Sequence, residues 1–72
     1  MTADQRRVLD QFDACRHEGP VVQLTEVQTN GRFTLTGRHS HIQLIKRCLS
    51  ERFGYDRFDA RIREHIIDPG GP

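Results

Sequence analysis

Apolar positions along this 72-residue chain change rhythm twice, and each change marks a different kind of element. Val8, Leu9, Phe12 and Cys15 recur every three to four residues, the repeat of one helix face. Thr2, followed three residues later by Gln5, forms a capping-box pair, so this helix is expected to begin near Ala3. Gly19-Pro20 ends it, because glycine suits a left-handed cap and proline cannot continue a helix. Over Val21–Thr36, VVQLTEVQTNGRFTLT, alternation replaces the helical repeat and predicts a β-hairpin turning at Asn30-Gly31. A two-residue turn there pairs Gln28 with Phe33 and puts Val22, Leu24, Phe33 and Leu35 on one face. A three-residue turn with a glycine bulge groups Val27 with Phe33 and Leu35 instead. The first buries more apolar surface and is preferred. In both, Arg32, Thr34 and Thr36 share the opposite face.

The helical repeat then returns. Ser40 with Gln43 forms a second capping pair, and a helix to about Phe53 would bury Ile42, Ile45, Cys48, Leu49 and Phe53, with Leu44 widening the stripe. Gly54 fits the position just past its end, where Tyr55 can fold back on the last turn. Asp56 is a good N-cap for a third helix over about residues 57–67, with Phe58, Ile62 and Ile66 at four-residue steps. Asp68-Pro69-Gly70-Gly71-Pro72 cannot extend it and is expected to be a flexible tail. The expected fold is therefore α+β: a small single domain over residues 1–67, in the order α-β-β-α-α, with an antiparallel β-hairpin packed against three helices. A two-stranded hairpin is marginal alone and leaves strand edges for a partner.

Composition narrows the class. Hydrophobic residues are 35% and charged residues 29%, which suits a globular domain near the lower size limit for a self-sufficient core. No apolar run approaches a membrane span, and the opening Met1–Arg7 has no apolar core after it, so the expected location is the cytosol. There Cys15 and Cys48 are expected as free thiols packed on helix faces; a bond between them would need the two helices side by side. Charge is uneven: residues 1–30 carry three cations against five acids, residues 31–72 eight against five. Ten of the eleven cations are arginine.

Catalytic and metal chemistry find little support. His39 and His41 are the one close pair of metal-type ligands, but Cys48 lies seven residues beyond His41, about 10 Å along a helix, too far to share an ion. His17 sits two residues from Cys15, on another side of the helix, and so cannot serve as its base. Asp10/Asp13 and Asp56/Asp59 are an exposed pair and a cap with a first-turn acid, without the apolar pocket an acid catalyst needs. No catalytic residue, no metal ligand and no cofactor is therefore expected, and the chain is not expected to be an enzyme. Lys46, Arg47, Arg52, Arg57, Arg61 and Arg63 could meet phosphates, yet Arg47/Glu51, Asp59/Arg63 and Arg61/Glu64 can pair locally on helix surfaces.

One longer constellation remains. Arg32-Phe33-Thr34-Leu35-Thr36, then two helices broken at Gly54 and ending Ile62-Arg63-Glu64-His65-Ile66, resembles the ribbon-helix-helix repressors over about residues 32–66. The resemblance implies a dimer that pairs one strand from each subunit and inserts the ribbon in the DNA major groove, with base contacts from Arg32, Thr34 and Thr36. It departs from that family in having a helix and a partner strand ahead of the ribbon. Val21–Gln28 would compete for the edge that dimer pairing uses. The favoured expectation is a small non-catalytic binding protein, an adaptor, regulator or inhibitor of a larger protein. Accessory proteins of phages and mobile elements that act on host systems share this size. The alternative is a dimeric DNA-binding regulator of the ribbon type. Expected partner-binding residues are Arg32, Thr34, Thr36, Arg38, Arg57 and Arg61. Phe33, Leu35, Ile66 and Ile67 are the expected dimer contacts, and no membrane partner is expected.

Overall fold

The computed structural model describes residues 1–67, and the expected tail lies outside them. Its elements are α1 (Ala3–Cys15), a 3-10 turn (Arg16–Glu18), β1 (Gln23–Thr25), β2 (Phe33–Gly37), α2 (His39–Phe53) and β3 (Ile62–Ile66). The class is α+β, but the third helix is replaced by a strand. The sheet is mixed, in the order β1-β2-β3, with β1 antiparallel and β3 parallel to the central β2. A parallel neighbour requires a crossover, and α2 supplies it.

Both helices lie on one side of the sheet. Val8, Phe12 and Cys15 of α1 and Ile42, Ile45, Cys48 and Leu49 of α2 enclose Val22, Phe33 and Leu35 from the strand region. Val8, Leu35, Ile42, Ile45 and Leu49 are all nearly inaccessible to solvent. Tyr55 closes one end of this core, edge-on to Phe33, and its hydroxyl donates to Gln11. Gly54 takes the left-handed cap conformation at φ 76° and donates its N–H to the Ser50 carbonyl at 3.0 Å, which turns the chain so that Tyr55 folds inward.

The α1 cap forms as its residues suggest: the Thr2 hydroxyl accepts from the Gln5 N–H, and the Gln5 side chain accepts from the Thr2 N–H. At α2 the capping pair does not form. The helix starts two residues earlier, with Arg38 at the N-cap and no side-chain cap.

The hairpin combines both expected registers. Gln28 donates to the Arg32 carbonyl at 2.8 Å around a three-residue loop whose last member, Gly31, has φ 90°. That is the bulged turn, and Val27 packs against the core as it requires. Glu26 then sits at φ 52°, between a Gln28–Arg32 pair and the Thr25–Thr34 pair, as one extra residue on the first strand. This bulge restores the phase, so Leu24 pairs with Leu35 on the helix side.

Three further expectations are corrected. The segment after Gly54 is a turn-rich loop to Arg61 followed by β3, because the Asp59 carboxylate accepts from the Arg61 N–H two residues on, a turn that competes with helix formation. Phe58 is consequently 86% exposed rather than buried. Cys15 and Cys48 are not free thiols: α1 and α2 run side by side, bring their Cα atoms to 5.8 Å, and a disulfide joins them.

Candidate binding surface

With both helices on one face, the other face of the sheet carries polar groups. Pairing places Gln23 and Thr25 of β1, Thr34 and Thr36 of β2, and Arg63 and His65 of β3 on this open side. Arg32, just ahead of β2, continues the row. The Thr25 and Thr36 hydroxyls are 3.0 Å apart, and the Thr34 hydroxyl donates to Glu26 at 3.3 Å. On the helix side, Glu64 of β3 accepts from Gln43 at 2.8 Å and from the Lys46 ammonium at 3.0 Å, which anchors β3 to α2.

The outer edge of β3 is the second feature. Phe33 donates to the Arg61 carbonyl and Ile67 to the Gly37 carbonyl, both at 2.8 Å. Alternation between these two bonds directs the backbone groups of Arg63 and His65 towards β2. Those of Glu64 and Ile66 therefore point away from the sheet, and no strand pairs with them among the described residues. Ile66 and Ile67 are about half exposed beside this edge.

The loop before β3 is held by one ion pair. The Arg61 guanidinium donates to Asp59 at 2.8 and 2.7 Å and lies over the Tyr55 ring, 4.3 Å from its centroid. These bonds hold the Asp59 carboxyl far below the usual carboxylate range against the opposing effect of burial, helped by the N–H groups of Arg61 and Asp56. The same pairing raises the Arg61 pKa. Burial raises that of the Tyr55 phenol, opposed by the nearby Arg61 and Arg7 charges.

Set against the expected site, the structure brings Arg32, Thr34 and Thr36 together on one face. It adds Arg63 and His65, which the helical reading had dispersed. The alternation of Ile62-Arg63-Glu64-His65-Ile66 was the signal for them. Arg61 is tied to Asp59, Arg57 lies on the loop beside the Phe58 ring, and Arg38 stands at the α2 N-cap, at the other end of β2. Phe33 and Leu35 are interior residues, 2% and 0% exposed, and have no surface to offer a second subunit; Ile66 and Ile67 do. The edge that a ribbon dimer would use is also taken, since β2 pairs on both sides.

Among the described residues, no cluster of three or more His, Cys, Asp or Glu side chains is placed to hold a metal ion. No helix there is long and apolar enough to cross a membrane. No family model, curated protein or solved structure matches the chain.

Proposed function

We propose that this chain is a non-catalytic binding protein, an adaptor, regulator or inhibitor, which docks an extended segment of a larger protein on the outer edge of β3. The observation that carries this reading is the free edge itself: the backbone groups of Glu64 and Ile66 face outward, beside exposed Ile66 and Ile67. Main-chain pairing to such an edge gives affinity, and side chains on alternate positions give selectivity.

Proline offers a clean test. At Ile66 it removes only an outward N–H, so pairing with β2 survives, as it does for prolines on natural edge strands. Affinity capture from native lysate, with and without nuclease, should recover a nuclease-resistant protein partner. Ile66→Pro should lose it, while Ile66→Ala, which keeps the N–H, should retain part of the binding. Equal capture by all three chains would reject the edge.

A DNA-binding role is the second reading, favoured by Arg32, Thr34 and Thr36 sharing the open face with Arg63 and His65. It predicts nuclease-sensitive capture and an affinity that falls steeply with salt.

A further inference from the structure

At the turn end of the open face, Gln28, Arg32, Thr34, Ala60, Arg61 and Arg63 surround a cleft of about 60 Å³. About 10–15 Å³ of such space holds one water, so the cleft takes a group of a few heavy atoms, the scale of a single small oxyanion. Its charge is lopsided. Arg61 is neutralised by Asp59. Arg32 and Arg63 form no ion pair among the described residues, and β2–β3 pairing seats Arg63 beside Thr34, two residues on from Arg32. Glu26, the nearest carboxylate to Thr34, reaches it from the β1 side, across the strand from Arg63, and does not line the cleft.

We propose that this cleft binds a phosphate dianion, either inorganic phosphate or a phosphate monoester. Two uncompensated guanidiniums match two negative charges, whereas a carboxylate or a phosphodiester carries one. Guanidinium forks also suit several oxygens of one tetrahedral group. The Gln28 amide adds a neutral donor, while the Thr34 hydroxyl is already engaged by Glu26. The dianion can come from free phosphate or from a phosphorylated side chain. The second source rests on the reading that the partner is a protein, and it would add a phosphorylation-dependent contact beside the β3 edge.

Amide chemical-shift titration of the full chain at constant ionic strength tests the site. Inorganic phosphate at pH 7.5 should give saturable shifts at Arg32, Thr34, Arg61 and Arg63, and acetate should not. Arg32→Gln with Arg63→Gln should weaken phosphate binding by at least about tenfold without lowering the melting temperature, since both side chains are on the surface. Glu26→Gln should tighten it. Lowering the pH from 7.5 to 5 should weaken it too, as the phosphate dianion takes up a proton and becomes a monoanion. O-phosphoserine binding more tightly than inorganic phosphate points to the phosphoprotein source, and the reverse order points to free phosphate.

Equal responses to acetate and phosphate, or unchanged binding in the double variant, would overturn the proposal. So would tighter binding of a thymidine tetranucleotide lacking a terminal phosphate, which would favour a nucleic-acid backbone. Ile66→Pro should leave the phosphate titration unchanged. Loss of partner capture with that titration intact therefore isolates the β3 edge, and the Arg32/Arg63 variant isolates the cleft.

Discussion

Val21 is held at φ 72°, a left-handed conformation that a β-branched residue adopts only under strain. It follows Pro20 in a turn closed by the Val22 N–H donating to the Gly19 carbonyl at 3.2 Å, a position that favours glycine. Its side chain is 85% exposed, so removing it sacrifices no packing. Val21→Gly should therefore raise stability in urea unfolding by about 0.5–1 kcal/mol, the relief of strain less the added entropy of the unfolded glycine. A loss of stability would show that the turn does not hold this conformation. Asp59 makes the opposite kind of contribution. Its folded pKa is depressed, chiefly by Arg61, so its stabilisation is complete above the unfolded value of about 4 and is lost as pH falls below it. Urea midpoints of the parent chain should drop between about pH 4 and pH 2, and Asp59→Asn should flatten that slope while lowering the neutral-pH midpoint. A slope unchanged by the substitution would show that Asp59 is not the responsible acid.

At the level of elements, α1 and α2 were legible because their signals are local: an apolar stripe in each, the Thr2–Gln5 cap at the start of α1 and Gly54 at the end of α2. β3 was not, for a physical reason. Ile62 and Ile66 are four apart, which satisfies a helical repeat, but four is also a multiple of two, and the intervening Glu64 shares their face. Its pairing with β2 is non-local, with α2 between them, so nothing in the adjacent residues announces it. The candidate surface inherited this error: Arg32, Thr34 and Thr36 follow from alternation in β2, whereas Arg63 and His65 join them only through the missed strand. The disulfide was hidden in the same way, because the side-by-side placement of α1 and α2 is a tertiary fact. It spans 33 residues of sequence, and closing a loop of that length is worth about 3–4 kcal/mol in the chain-entropy treatment. Reduction should therefore lower the urea midpoint sharply in a domain this small, and Cys15→Ala with Cys48→Ala should reproduce the drop and abolish the response to reductant. Identical midpoints with and without reductant in the parent chain would contradict the bond.

For the whole molecule, the central feature is a two-layer domain whose helices seal one face of the sheet and leave β3 as an outer strand. That arrangement leaves β2 with no free edge, and the surface proposed for binding is therefore the Glu64 and Ile66 backbone and the polar face beside it. Amide hydrogen exchange across residues 61–67 of the free chain tests this most directly. Arg63 and His65 should exchange slowly, because their N–H groups bond to β2, while Glu64 and Ile66 exchange quickly because theirs face outward. Uniform protection from Ile62 to Ile66, as a helix would give, or slow exchange at Glu64 and Ile66, as an edge covered by a second copy would give, would contradict the account.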